Sequence, residues 1–122
     1  RESERALAPA LFAALGRLHD NGLAHGDLRA ENVLIRDDTL YFIDATSVRE
    51  AGRRDARSYD LACGLAALEP LIGARATVEA AASTYDVDEL LAALEFLDFV
   101  NIRPDHDFGA ASLKGEIEKR AS

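Results

Sequence analysis

Leu7, Leu11, Leu15 and Leu18, with Phe12 beside them, recur at helical spacing and predict a helix over residues 4–20. Positions three and four apart share one face of an α-helix, so these side chains make a single apolar stripe. Pro9 falls within the first turns, where its missing N–H costs least. Asn21-Gly22 ends the segment with a glycine able to take the left-handed conformation. The period then changes. Two short apolar runs, Val33-Leu34-Ile35 and Leu40-Tyr41-Phe42-Ile43, flank the polar turn Arg36-Asp37-Asp38-Thr39. Residues 23–44 therefore read as strand, loop, strand, turn, strand. Residues 45–56 are polar and irregular. A second helix is expected over 57–72 from Leu61, Leu65, Leu68, Leu71 and Ile72, with Pro70 kinking it or ending it early and Gly73 closing it. The chain is helical again from Ala76. Asp86 and Glu89 match a capping box and open a heavily apolar helix that runs to about Val100. Arg103-Pro104-Asp105 is a loop. A last helix, 110–120, places Leu113 and Ile117 on one face and pairs Glu116 with Arg120.

No internal repeat, linker or low-complexity tract interrupts this series. A chain of 122 residues buries one core, so residues 1–122 read as a single small domain. The net charge of −8 argues against direct nucleic-acid or anionic-membrane binding, both of which need basic patches. No apolar run reaches 18 residues, so no membrane span is expected. No signal peptide is visible. Cys63 is the sole cysteine and reads as a small buried hydrophobe, which suits a reducing, cytoplasmic setting.

The chemistry concentrates in His25-Gly26-Asp27-Leu28-Arg29-Ala30-Glu31-Asn32 and in Asp44. Asp27 and Asn32 stand five residues apart, the apolar run 33–35 follows, and Asp44 comes straight after the second run. The plain alternative is an ordinary hairpin with solvated Asp residues at its ends, but that leaves Asn32 and Asp44 bracketing the hairpin without a reason. His19 and His106 have no partner spacing that would make a metal site, and no G-x-S-x-G nucleophile elbow occurs.

This pattern resembles the catalytic loop of the protein-kinase-like fold, H-x-D-L-x-x-x-N, with its metal-binding aspartate one hairpin later. The resemblance covers residues 4–73, while 74–122 form a helical remainder without an assignable motif. It implies an α+β, mostly helical fold: a kinase-like C-terminal lobe with a small β-hairpin carrying the catalytic loop. No G-x-G-x-x-G occurs, and Lys114 and Lys119 lack a strand context, so the N-terminal nucleotide-gripping lobe is absent from this chain. That lobe would be supplied in cis or in trans.

The resemblance also implies residue roles. Asp27 would orient and deprotonate the attacking hydroxyl, and Asn32 and Asp44 would hold the Mg²⁺ of an ATP co-substrate. Arg29 stands where many protein kinases keep a Lys on the γ-phosphate; its alternative is a solvated surface Arg. His25 and Asp60 would support the loop structurally, Asp60 at the start of the next large helix by bonding the loop backbone.

Gly26 replaces the Arg of H-R-D, as in RIO kinases, the kinase/ATPase subunit of the KEOPS complex and aminoglycoside phosphotransferases. Only 16 residues separate Asp44 from Asp60, too few for a regulated activation loop. The chain departs from the family in Asp44-Ala45-Thr46, which stands for D-F-G. It departs again in its C-terminus, which is not the basic tail usual in the KEOPS kinase. Asp107-Phe108-Gly109 lies 80 residues beyond Asp27 and is a coincidence. The expected function is an ATP–Mg²⁺-dependent phosphotransferase of the RIO-like serine/threonine protein kinase type, acting on a protein or small-molecule hydroxyl. Its alternatives are a small-molecule phosphotransferase, an ATPase switch in a larger complex, and a non-catalytic pseudokinase binding module.

Overall fold

The computed structural model describes residues 2–24, 33–36, 39–42, 49–50, 54–101 and 109–121, with side chains described for 7–22, 56–98, 100 and 109–121. Helix α1 spans Glu2–Asp20 and ends at Gly22, whose φ of 74° turns the chain. Its Leu11, Phe12 and Leu15 are buried and Leu18 packs at the margin, as the stripe requires. Pro9 lies deeper in the helix than the first turns and is exposed.

Helix α2 (Arg54–Ile72) is the central element. It packs against α1, α3 (Ala74–Ala82), α4 (Val87–Asn101) and α5 (Ala110–Ala121). Leu61, Ala62, Cys63, Leu65 and Ala66 are all buried, so apolar side chains occupy successive positions around the axis rather than one stripe. A helix covered on every side has no polar face to keep. Pro70 does not end it. Gly73 N–H bonds the Glu69 carbonyl at 2.9 Å, so the last turn closes across the proline. Gly73 then reverses the chain at φ 89°, a conformation that costs an L side chain but not glycine, and its carbonyl accepts the first bond of α3 from Thr77 at 3.1 Å.

The capping box at α4 forms as expected. Asp86 N–H donates to Glu89 Oε1 and Glu89 N–H donates to Asp86 Oδ1, both at 2.9 Å. In α5, Glu116 pairs with Lys119 at 3.4 Å instead of Arg120. Gly109, the last residue of the coincidental D-F-G, precedes α5. Its N–H donates to Glu69 Oε1 at 2.6 Å, so a carboxylate from α2 caps the positive end of α5.

The expected α+β class, with a β-hairpin carrying the catalytic loop, is corrected by this architecture. Among the residues whose side chains are described, every regular element is a helix, and the core is helix against helix. The extended backbone amounts to two separate two-stranded ladders: β1 (Leu23–Ala24) with β4 (Arg49–Glu50), and β2 (Val33–Arg36) with β3 (Thr39–Phe42). Two isolated strand pairs offer no continuous sheet face for a helical layer to cover, so they cannot organise a core. The loop assigned to the hairpin lies outside the described residues. Among the described residues, no helix is long and apolar enough to cross a membrane.

Candidate functional site

His25, Asp27, Arg29, Asn32 and Asp44 lie outside the described residues; Asp60 does not. What the structure describes is the place from which that segment springs. Leu23 pairs with Glu50 and Ala24 with Arg49, so the chain leaves for His25 and comes back at one point. Val33 pairs with Phe42, and Arg36 with Thr39, in a second short ladder.

Beneath this root sits a buried polar network. Asp60 on α2 is fully buried and its Oδ2 lies 3.0 Å from Nε2 of His19, in the last turn of α1. His19 Nδ1 lies 2.8 Å from the Tyr85 hydroxyl. His19 and Tyr85 are 3 % and 5 % exposed. One proton arrangement satisfies all three groups: neutral His19 donates Nε2–H to the Asp60 carboxylate and accepts the Tyr85 O–H at Nδ1. Burial, and then the negative charges of Asp60, Glu89 and Asp20, push the Tyr85 phenol far above its usual value against a smaller opposing effect of Arg57. The phenol therefore remains a neutral donor at physiological pH. The two rings meet edge-on with centroids 5.9 Å apart.

Local packing brings these residues together. Gly16 precedes His19 by one turn on α1, and a Cβ on Gly16 would lie 2.7 Å from Thr84 Cγ2. The missing side chain lets the α3–α4 turn close on α1 and deliver Tyr85 to the imidazole. Chemically the network fixes a tautomer and ties α1, α2 and that turn together. Asp60 was expected to support the loop through backbone bonds; the bond described here is to the His19 side chain. Among the described residues, no three His, Cys, Asp or Glu side chains come close enough to hold a metal ion.

His19 and Tyr85 were not among the residues singled out from sequence. His19 did carry a signal: it continues the Leu7, Leu11, Leu15 series by four residues, so a polar side chain occupies an apolar stripe. Such a residue is buried and must find a partner. The partners lie 41 and 66 residues away, beyond any local spacing rule.

No family model matches the chain, and no solved structure does. Two curated proteins share short stretches with it. One is the "Probable bifunctional tRNA threonylcarbamoyladenosine biosynthesis protein" of Methanoculleus marisnigri, 38 % identical over 48 residues, or 39 % of this chain and 9 % of that protein. The other is the KEOPS complex subunit Bud32 of Pyrococcus abyssi, 47 % identical over 30 residues, or 25 % of this chain and 14 % of Bud32. The chain thus matches only about a tenth of the length of these relatives. Over these short stretches the similarity supports a relationship to atypical kinase-like proteins.

Proposed function

We propose that this chain is the catalytic lobe of an atypical kinase-like phosphotransferase that uses ATP with Mg²⁺. The observation that carries the reading is the spacing of Asp27, Asn32 and Asp44 around two short apolar runs. Asp27 orients the attacking hydroxyl and takes its proton. Asn32 and Asp44 offer an amide and a carboxylate oxygen, a hard donor pair suited to Mg²⁺. Mg²⁺, when bound, neutralises the phosphate oxygens. Arg29 stabilises the γ-phosphate charge. His25 and Asp60 hold the loop, Asp60 through its buried bond to His19.

The two relatives favour one branch over the RIO-like one. Their names place them in tRNA threonylcarbamoyladenosine biosynthesis and in the KEOPS complex. An ATPase subunit working beside protein partners is therefore the second reading, with water in place of the hydroxyl acceptor. The test is product analysis on the natural polypeptide that contains this sequence, with ATP and with or without Mg²⁺. Transfer of labelled phosphate to a protein or small hydroxyl compound establishes the kinase, and release of free phosphate alone establishes the ATPase. Absence of both products refutes the two readings and leaves a binding module.

A further inference from the structure

An open cavity of about 440 Å³ lies between the start of α2 and the start of α4, within the size range of small-ligand sites. Its lining includes Arg57 and Ser58 from α2, Tyr85 from the preceding turn, and Asp86, Asp88 and Glu89 from the α4 N-terminus. Ser58 is 7 % exposed, and among the described residues its hydroxyl has no hydrogen-bond partner. A buried hydroxyl is costly to leave unpaired, so this one is available to a ligand that enters the cavity. Asp86 and Glu89 each spend one oxygen on the capping box, and Asp88 is exposed without an ion-pair partner among the described residues.

The wall is therefore two-sided: carboxylates on α4, and the Arg57 and Ser58 donors on α2. The carboxylates do not cluster tightly enough for a metal ion. A ligand that satisfies both sides carries an extended cationic group and, a few bonds away, a neutral carbonyl acceptor. An arginine or lysine residue within a peptide has that shape: its side chain meets Asp88 and Glu89, and its backbone carbonyl accepts from Ser58 and Arg57. The overall charge of −8 favours the approach of such a segment.

We propose that this cavity is a recognition site for a basic residue in a partner polypeptide. The proposal does not depend on the phosphotransferase reading, because no probe of it involves nucleotide.

The test is backbone-amide NMR titration, at low salt, of the natural polypeptide that contains this sequence with acetyl-Gly-Arg-Gly-amide. Acetyl-Gly-citrulline-Gly-amide is the neutral isostere, and spermidine is a cation lacking the carbonyl. Saturable shifts at Ser58, Asp88 and Ala92 are expected with the arginine peptide. Binding should weaken at least about fivefold for citrulline and for spermidine, as loss of one charge-assisted or buried hydrogen bond implies. Asp88→Asn and Ser58→Ala should each weaken the arginine peptide to a similar degree; neither residue takes part in the capping box or in the Asp60–His19–Tyr85 network. Absence of saturable shifts, equal binding of citrulline, or arginine-peptide affinity unchanged in Asp88→Asn overturns the site. Equal binding of spermidine, with Ser58→Ala silent, overturns the peptide assignment and leaves a plain polycation surface.

Discussion

His19 and Asp60, 41 residues apart in sequence, meet at 3.0 Å inside the helical core, where they are 3 % and 0 % exposed. The pair joins the last turn of α1 to the first half of α2. The chain between those two helices is the one that carries Asp27, Asn32 and Asp44. The buried bond ties the helix before that segment to the helix after it.

Removing either outer member of the network should destabilise the fold by leaving the imidazole with a buried unpaired atom. Tyr85→Phe strips the donor to Nδ1, and Asp60→Ala strips the acceptor of Nε2–H. Each is expected to cost about 1–3 kcal/mol, with Asp60→Ala at the upper end because a charged acceptor is lost. Asp60→Asn keeps an oxygen for Nε2–H and should recover part of that loss. Urea unfolding midpoints at constant slope measure this. The two changes share one imidazole, so their effects should not add, and the double variant should show a coupling of about 0.5–3 kcal/mol. Strict additivity would mean that the network does not act as a unit.

The same network sets a pH dependence. The Tyr85 phenol is held far above its unfolded value of 10.0 by burial first and by nearby carboxylates second. A raised folded-state value means that this group's contribution is complete below the unfolded value and is lost as pH rises past it. Above pH 10 the unfolded chain releases the proton while the folded chain retains it, so stability should fall with rising pH. The difference between wild type and Tyr85→Phe isolates this group. It should be flat up to about pH 9 and shrink above pH 10, because Phe has no proton to lose. A difference that stays constant to pH 11 would show that the phenol is not shielded in the folded protein.

Local signals in the sequence anticipated local structure. The leucine series of α1, the Gly22 stop and the Asp86/Glu89 capping box each depend on residues within a turn or two of one another, and all three appear. Features set by distant contacts were out of reach. The all-round burial of α2 follows from four helices packing on it, which no single segment's periodicity encodes. The α+β class was wrong because two short apolar runs were given the weight of a layer, although strands of two and four residues in separate ladders cannot bury one. Of the candidate site, Asp27, Asn32 and Asp44 lie outside the described residues, and the meeting of His19, Asp60 and Tyr85 needed the fold.

The capping box makes a separable stability prediction. Asp86→Ala should cost about 1 kcal/mol, since it removes the side-chain acceptor for an otherwise orphaned helix N–H. Glu89→Gln should be nearly silent, because an amide oxygen still reaches the Asp86 N–H at the observed 2.9 Å geometry. Thermal melts of both variants check this. Equal losses for the two would show that charge at the α4 N-terminus, rather than the reciprocal bonds, supplies the stabilisation.

Core packing predicts the largest single loss. Leu97 is fully buried on α4, the helix that packs most extensively against α2. Leu97→Ala should cost about 2–5 kcal/mol through lost burial and the cavity left behind. In contrast, Leu71 is 46 % exposed near the end of α2, and Leu71→Ala should change stability by less than about 1 kcal/mol. A reversed order would contradict the packing described here.

The functional proposal stands or falls on Asp44. If Asp44 supplies the carboxylate that holds Mg²⁺, then Asp44→Asn should abolish Mg²⁺-dependent ATP turnover in the natural polypeptide while leaving its melting temperature within about 2 °C of the parent. Asp27→Asn should lower turnover by about 10²–10⁴-fold, the usual contribution of a positioned general base, yet leave Mg²⁺-dependent nucleotide binding in place. The two variants therefore separate metal holding from hydroxyl activation. Asp60→Asn provides the structural control, because it perturbs the root of the segment without touching either role and should lower turnover only as far as it loosens the fold. Turnover unchanged in Asp44→Asn would remove the metal role and, with it, the reason for reading the Asp27–Asn32–Asp44 spacing as a phosphoryl-transfer site.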